Sequence, residues 1–161
     1  MTHRIMGIDP GIGGAFALIE NCAIVDTADM PIREERKSNG GIRRRVDAEG
    51  VAALVDRWAP QRAMLEQVSA SPGMGVSSAF SFGHGVGVLE AVLAVRGIEY
   101  KPVHPGVWKR ALSVPAEKDA ARQRAAALFG PTAAAAHWPL KKHDGRAEAA
   151  MIALYGVPNG A

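Results

Sequence analysis

The sequence has a single cysteine, Cys22, among its 161 residues, so no disulfide can form within the chain. Chains without internal disulfides are typical of reducing compartments, and we therefore expect a cytoplasmic protein. No long apolar segment lies near the amino terminus and no apolar run reaches membrane-spanning length, so we expect neither a signal peptide nor a membrane partner. Internal repeats and interdomain linkers are also missing, which predicts a single domain over residues 1–161.

Charge is unevenly distributed along the chain. Residues 31–46 carry six basic and two acidic side chains and residues 101–146 carry nine and three, whereas the remainder is acidic. This asymmetry indicates a polyanionic partner, usually nucleic acid, although the same charges would also suit a solvated surface. We expect residues 31–45 to form a mobile loop. The candidate DNA contacts in the two basic segments are Arg43, Arg44, Arg45, Lys109, Arg110, Arg122, Lys141 and Lys142.

A buried strand that ends in an acid is predicted at residues 4–9. Its apolar residues are followed by Asp9, a glycine-rich turn and a second apolar run at 15–19, a pattern typical of a hairpin. A carboxylate at the end of a core strand is costly to desolvate unless a positive charge compensates it. Asp9 is therefore a candidate neighbour of a metal ion or a phosphate group, and the alternative is a solvated aspartate that leads into the turn.

Periodicity predicts the remaining elements of an α/β protein. A strand, a helix and a strand in succession indicate that the strand containing Glu66 lies parallel to the first. Asp9 and Glu66 would then end neighbouring strands at one sheet edge, where open α/β sheets bind ligands. The other predicted elements are a third strand from Ala23, a helix over 47–58 with Asp47 as its N-cap, a helix over 76–95, a strand over 98–103, helices over 107–112 and 117–129, and an alanine-rich connector over 132–139.

The closing segment 143–156, HDGRAEAAMIALYG, adds two acids on one helix face. Asp144 and Glu148 are four residues apart and lead an apolar stripe, so a helix brings them together. They could serve only to cap the helix and to interact with its dipole. With Asp9 and Glu66 they instead predict an all-oxygen cluster for Mg²⁺ or Mn²⁺. Two such ions about 4 Å apart would support an in-line phosphoryl displacement.

Six motifs occur in order along nearly the whole chain. They are GIDPG at 7–11, LEQV at 65–68, SSAFSFGHGVGV at 77–88, VWKRAL at 107–112, EKDAARQRA at 117–125 and HDGRAEAAMIAL at 143–154. This ordered set resembles the RuvC family of Holliday-junction resolvases, particularly its shorter phage and prophage members, within the ribonuclease H-like superfamily. GIDPG alone would be a weak signal, and the specificity comes from the order of the motifs and the positions of their acids.

The resemblance implies an α/β, ribonuclease H-like fold with a five-stranded mixed sheet flanked by helices, its first three strands antiparallel. It also implies a homodimeric, Mg²⁺-dependent endodeoxyribonuclease that cuts four-way or other branched DNA in recombination and repair. Two ions would occupy each active site, and Mn²⁺ could replace Mg²⁺. The catalytic residues that the resemblance implies are Asp9, Glu66, Asp144, Glu148 and Lys118, the last as a phosphate contact or electrostatic stabiliser.

The chain departs from the family pattern at three points. Family members often space their last two metal-binding positions three residues apart, and here Gly145 occupies that position before Glu148. His143 is therefore a competing metal ligand to Asp144. Glu148 itself replaces the commoner aspartate. A base-stacking aromatic that the family often carries after the strand-end glutamate corresponds here to Ser69. The residues that could replace that aromatic are Met74, Phe80 and Phe82.

Two other functions stay open from the sequence. The changed spacing before Glu148 would suit a non-catalytic protein that binds branched DNA through a decayed site. The segment GIDPGIGGA also resembles the first phosphate loop of actin-like and sugar-kinase folds. Those proteins need a second lobe with its own phosphate loop, and the chain shows no second loop of this kind.

Overall fold

The computed structural model describes residues 3–117 and 119–158. Within these ranges the apolar runs form strands and the amphipathic segments form helices. The strands are β1 (Arg4–Asp9), β2 (Ala15–Glu20), β3 (Ala23–Asp29), β4 (Ile32–Arg36), β5 (Ile42–Val46), β6 (Arg62–Glu66) and β7 (Glu99–Val103). The helices are α1 (Ala48–Trp58), α2 (Val76–Val95), α3 (Pro105–Ala111), α4 (Ala120–Phe129), α5 (Pro131–His137) and α6 (Asp144–Tyr155), with a 3₁₀ turn at Lys141–His143.

Five strands form one mixed sheet in the order β3-β2-β1-β6-β7. Strand β2 is antiparallel to β1 and β3, whereas β6 pairs in parallel with β1 and with β7. The predicted five-stranded mixed sheet, with its first three strands antiparallel, is therefore confirmed. The β1–β6 register sets Ile8 opposite Leu65, so Asp9 and Glu66 follow at the same edge of the sheet.

Side chains alternate across the sheet and fill a core on each face. Ile5 and Ile19 pack on the face covered by α6, whereas Met6, Ile8 and Phe16 pack on the face covered by α1 and α2. Helices therefore cover both faces of β1 and β2. This double burial explains why the two strands are apolar at nearly every position.

Helix α6 packs directly on the backbone of β1. A methyl group on Gly7 would lie 2.6 Å from the Ala153 nitrogen and closer still to the Ala149 carbonyl oxygen. Glycine in the strand and alanines along α6 permit this short separation, because no side chain intervenes. The first turns of α6 therefore reach the sheet edge at which β1 ends.

Residues 31–46 form a hairpin, so the predicted mobile loop is wrong. Strand β4 pairs antiparallel with β5, and acids of β4 oppose arginines of β5, with Glu34 opposite Arg44. In the turn, the Lys37 amide donates to the Gly41 carbonyl over 2.7 Å, and Gly40 has a positive φ of 82°. The composition of the segment is typical of loops, and cross-strand pairing of opposite charges allows it to form strands instead.

Two helices also differ from the sequence prediction. The expected connector over 132–139 contains α5, because Pro131 suits the first helical turn and alanine has the highest helix propensity. Helix α2 is long and apolar enough to cross a membrane by length and composition alone, contrary to the expectation that no run reaches this length. One such helix among the described residues is weak support for a membrane segment.

The contact between Gly7 and α6 predicts a large effect of one methyl group. We expect Gly7→Ala to destabilise the protein by about 3 kcal/mol or more, because α6 must move away from β1. Gly13→Ala is the matched control, since a methyl group there meets no atom within 4 Å. Urea unfolding followed by circular dichroism measures both changes. Equal stability of the two variants would contradict the close packing.

Candidate active site

Three of the predicted metal-binding acids converge at the carboxyl edge of the sheet. Asp9 ends β1, Glu66 ends β6, and Glu148 lies just over one turn into α6. Burial is the main cause that raises the pKa of Asp9 well above its usual range, followed by the negative charges of Glu148 and Glu66. Burial also raises the pKa of Glu66, and the charge of Glu148 adds to that rise. These acids therefore form one electrostatic cluster.

Of the three carboxyl groups, Asp9 is the one whose ionised form is least favourable. Its carboxylate loses water and faces two like charges, and both effects disfavour the charged form. The sequence of β1 enforces this position, because the buried residues before Asp9 anchor the strand and the turn after it returns the chain at once to β2. A cation at this edge would remove the cost.

Trp108 is a site residue that the sequence analysis missed. It is fully buried in α3, and its indole Nε1 donates a hydrogen bond of 3.0 Å to Glu66 Oε1. This bond holds the Glu66 carboxylate at the sheet edge and opposes the rise in its pKa. The tryptophan of the motif VWKRAL is the signal in the sequence, because a buried indole N–H usually has a hydrogen-bond partner. The sequence does not identify that partner.

Lys109, predicted as a DNA contact, lies within the acid cluster. Its Nζ is 3.2 Å from Glu148 Oε1, and both side chains are partly exposed, at 39% and 24%. The ammonium lies 5.1 Å from the centre of the Trp108 ring. Its charge opposes the rise in pKa of both Asp9 and Glu66. Lys109 therefore supplies a positive charge that partly compensates the three acids.

Asp144 has a partner that is not one of the three clustered acids. Its Oδ1 lies 3.3 Å from Nε of Arg122, an ion pair without the geometry of a hydrogen bond. His143 is buried, and its Nδ1 accepts a hydrogen bond of 3.3 Å from the Leu140 amide. Burial, and then the charge of Arg146, lowers the pKa of the imidazole. Asp144 and His143 therefore each have a partner within the protein.

Gly145 packs closely against the Asp9 carboxylate. A methyl group on Gly145 would lie 3.0 Å from Asp9 Oδ2 and 3.2 Å from the Gly13 carbonyl oxygen. The start of α6 is thus in close contact with the Asp9 carboxylate and the turn that follows it. A longer side chain three residues before Glu148 would require this contact to open.

The donor set suits a hard divalent cation. Asp9, Glu66 and Glu148 offer only carboxylate oxygens, which Mg²⁺ and Mn²⁺ prefer, and their mutual repulsion favours a cation. Among the described residues, however, no three acid, histidine or cysteine side chains are already arranged as a metal-binding group. The ion pair with Lys109 engages Oε1 of Glu148, and the other carboxylate oxygen is not part of that pair.

The predicted DNA contacts are distributed over four elements. Arg43, Arg44 and Arg45 lie on β5, Lys109 and Arg110 on α3, Arg122 on α4, and Lys141 and Lys142 in the 3₁₀ turn. Some already have acidic partners, since Arg45 pairs with Glu35 and Lys141 with Asp119. Lys118 lies outside the described residues. Some of the described basic residues therefore lie on α3, beside the acids, and others lie on β5, in the separate hairpin.

The five-stranded mixed sheet with helices on both faces is a ribonuclease H-like fold. More particularly, it is similar to two solved structures of Thermus thermophilus RuvC. In the first, that RuvC is in complex with a Holliday junction substrate, and the second is a structure of Thermus thermophilus RuvC. The first has 19% identity over 95% of this chain and 91% of that chain, with a TM-score of 0.60. The second has 17% identity over 92% of each chain, with a TM-score of 0.54.

A third similar structure is the yeast mitochondrial Holliday junction resolvase Ydc2. It is 13% identical over 94% of this chain and 76% of that chain, with a TM-score of 0.50. No protein-family model and no curated protein matches the chain. The RuvC-type fold that the sequence motifs indicated is therefore confirmed by structural similarity.

The burial of Asp9 predicts how stability depends on pH. Because its pKa is raised by folding, the folded state holds the proton more tightly than the unfolded state. The stability of the metal-free protein therefore falls as pH rises from the ordinary aspartate range through the raised pKa. Asp9→Asn lacks this contribution, and we expect it to melt about 2–4 °C above the wild type at about pH 8.

Thermal melts in EDTA and in Mg²⁺ measure this effect. Mg²⁺ should raise the melting temperature of the wild type and have little effect on Asp9→Asn, because a ligand of the folded state stabilises it. Asp56→Asn is the matched control, since Asp56 is an exposed acid paired with Arg96 on another face. An Asp9→Asn protein that melts below the wild type at high pH would contradict the assigned burial cost.

Proposed function

We propose that this chain is a metal-dependent endodeoxyribonuclease that cuts branched DNA, with the four-way junction as its main substrate. The observation that carries the proposal is the convergence of Asp9, Glu66 and Glu148 at one sheet edge, because three repelling carboxylates suit a divalent cation. Similarity to a RuvC seen in complex with a Holliday junction substrate supports the choice of DNA. In this proposal the chain acts as a homodimer in the cytoplasm.

The three acids would hold Mg²⁺ or Mn²⁺, in the proposed case two ions per site. When bound, the metal would supply the chemistry of lowering the pKa of a water molecule and stabilising the leaving 3′ oxygen of a phosphodiester. Trp108 keeps Glu66 directed into the site through its hydrogen bond. Asp9 is fixed by the rigid end of β1, so its oxygens need little reorganisation when the metal and substrate bind.

Lys109 has two roles in this proposal. In the protein alone it pairs with Glu148 and limits repulsion among the acids. If Glu148 holds the metal, the Lys109 ammonium would be available to contact a phosphate oxygen next to the acids. Lys118 would add a second phosphate contact, as the resemblance implies. Asp144 and His143 would then position the start of α6 or complete the ligand set after leaving their present partners.

A second function is favoured by the same ion pair. The contact between Lys109 and Glu148 already neutralises part of the acid cluster. In addition, Gly145 lies three residues before Glu148, where family members often have a metal-binding residue. Both features would suit a protein that binds branched DNA without cutting it. Binding and cleavage therefore have to be measured on the same substrates.

Cleavage of an end-labelled four-way junction tests the proposed activity. A three-way junction, a flap and a linear duplex provide the comparison, each with Mg²⁺, Mn²⁺ or EDTA. We expect paired, metal-dependent nicks in the four-way junction. Asp9→Asn should cut at least about 100-fold more slowly while it still binds the junction, because it loses a proposed ligand of the metal that would activate the attacking water.

Asp56→Asn again provides the control, and we expect it to cut at the wild-type rate. Equal rates for Asp9→Asn and the wild type would contradict the assignment of the acid cluster as the active site. A shifted junction band without nicks in any metal would favour the non-catalytic protein. Cuts in all branched forms would retain the nuclease and remove its preference for four-way junctions.

The two acids of α6 should differ in their response to substitution. We expect Glu148→Gln to abolish the Mg²⁺-dependent rise in melting temperature, because Glu148 is coupled to Asp9. Asp144→Asn should retain that rise, because its carboxylate is paired with Arg122. Calorimetric titration with Mn²⁺ provides a second measurement. Loss of metal binding in Asp144→Asn and its retention in Glu148→Gln would reverse the two assignments.

A further inference from the structure

Arg146, in the first turn of α6, joins this helix to the outer strand β3 and to the end of α5. Its Nε donates a hydrogen bond of 2.7 Å to Asp29 Oδ1, and its Nη2 donates one of 2.8 Å to Asp29 Oδ2. Its Nη1 donates a third bond, of 3.3 Å, to the His137 carbonyl oxygen. The guanidinium therefore makes a bidentate contact with a carboxylate, a geometry that combines strength with specificity.

Asp29 lies at the same sheet edge as Asp9. Ala15 is opposite Asp9 in the β1–β2 pairing and opposite Asp29 in the β2–β3 pairing, so the three residues form one row across the sheet. Directly opposed residues of antiparallel strands point to the same face, and here that is the face covered by α6. Gly145 packs against Asp9. The next residue, Arg146, binds Asp29, so the start of α6 is held at two points of this edge.

The position of Arg146 in α6 relates this contact to the acid cluster. Glu148 lies two residues further along the helix, and it is the acid that α6 supplies to the cluster. Among the described residues, Lys109 is the cation that opposes the raised pKa of Asp9. Arg146 is therefore placed to affect the cluster through the position of α6 rather than by direct contact with its acids.

A pair with the same chemistry lies elsewhere in the protein. Arg96 Nε donates to Asp56 Oδ1 over 2.8 Å, and its Nη2 donates to Asp56 Oδ2 over 3.1 Å. This pair joins α1 to the end of α2, on the opposite face of the sheet from α6. Exposed salt bridges contribute little to stability unless their geometry is close to ideal. The two bidentate pairs share this geometry and differ in location, so the Asp56–Arg96 pair is a matched control.

We propose that Arg146 is a positioning residue for the acid cluster: through Asp29 it fixes the first turn of α6, which brings Glu148 to the two strand-end acids. This inference rests on the proposed function, since the cation that these acids would share is that of the proposed nuclease. Residues that orient metal ligands without touching the metal commonly change metal affinity by about 10- to 100-fold. Arg146 itself contacts neither the metal nor the DNA in this proposal.

Titration of the metal-free protein with Mn²⁺ distinguishes an effect of position from an effect of charge. Arg146→Gln removes a positive charge near a cation site, so an effect of charge alone would tighten Mn²⁺ binding. Loss of positioning instead weakens it, and we expect the Kd for Mn²⁺ to rise about 10-fold. Isothermal calorimetry measures this constant without any cleavage. Tighter or unchanged Mn²⁺ binding by Arg146→Gln would overturn the inference.

Variants of the partner show whether the two residues act together. Asp29→Asn should weaken Mn²⁺ binding to a similar extent, and the double variant should bind no more weakly than Arg146→Gln alone, because both changes break one contact. Arg146→Lys should fall between the wild type and Arg146→Gln, since an ammonium keeps the charge but lacks the fork of a guanidinium. Losses that add in the double variant would mean two independent effects and would contradict the pair.

Hydrogen exchange in EDTA reports how firmly the helix is held before any metal binds. Arg146→Gln should speed the exchange of the amides of residues 148–151, because the first turns of α6 then open more easily. Arg96→Gln removes the matched pair and should leave both this exchange and the Mn²⁺ affinity unchanged. Circular dichroism melts establish that the variants are folded, and Arg146→Lys is the milder variant if Arg146→Gln unfolds. Unchanged exchange in Arg146→Gln would show that the contact does not hold the helix and would overturn the inference.

Junction binding and cleavage separate this inference from the proposed nuclease function. In EDTA, Arg146→Gln should bind the four-way junction with wild-type affinity, whereas weaker binding with a reduced salt dependence would identify a phosphate contact and overturn the positioning role. Cutting at the wild-type rate with unchanged Mn²⁺ affinity in Arg146→Gln would overturn the inference and leave the nuclease intact. A wild type that never cuts, combined with weaker Mn²⁺ binding and faster exchange in Arg146→Gln, would support the positioning role and overturn the nuclease.

Discussion

The close packing of α6 against β1 is the constraint on which the acid cluster depends. Gly7 leaves no side chain between the strand and the backbone at Ala149 and Ala153. At the end of the same strand, Gly145 repeats the arrangement against the Asp9 carboxylate. With both glycines, α6 lies close enough to bring Glu148 to an edge that the parallel pairing of β1 and β6 has already supplied with two acids.

This packing brings the negative charge of Glu148 close to Asp9, and the repulsion between the carboxylates favours a cation at this edge. A helix held a few ångströms further out would relieve the repulsion between Glu148 and Asp9 but would also remove a potential ligand. The chain instead keeps the acids together and moderates them with one indole and one ammonium group, from Trp108 and Lys109. Both come from α3, so this helix connects the acid cluster to the basic residues on its outer face. Such unfavourable arrangements are expected where a site is organised for binding.

Local sequence patterns predicted much of this arrangement and had clear limits. The positions of Asp9 and Glu66 at the ends of strands followed from apolar runs that end in acids, whereas the five-stranded mixed sheet followed from the resemblance that the ordered motifs carry. Helical spacing put Asp144 and Glu148 on one face, but only the packing of α6 shows that one approaches Asp9 while the other meets Arg122. The contacts of Trp108 join residues far apart in sequence, and no periodicity reveals them. The hairpin was missed because its strands carry charges where a core strand carries apolar residues.

The β4–β5 hairpin is separate from the main sheet, and its two ends lie close together. It forms its own two-stranded sheet, and its two ends meet where the Asp47 amide donates to the Pro31 carbonyl over 2.9 Å. The cost of closing a loop grows only slowly with its length, so residues can be added or removed at the hairpin tip while the main sheet keeps its register. The hairpin can therefore differ in length between related chains without any change in the three acids at the edge of the main sheet.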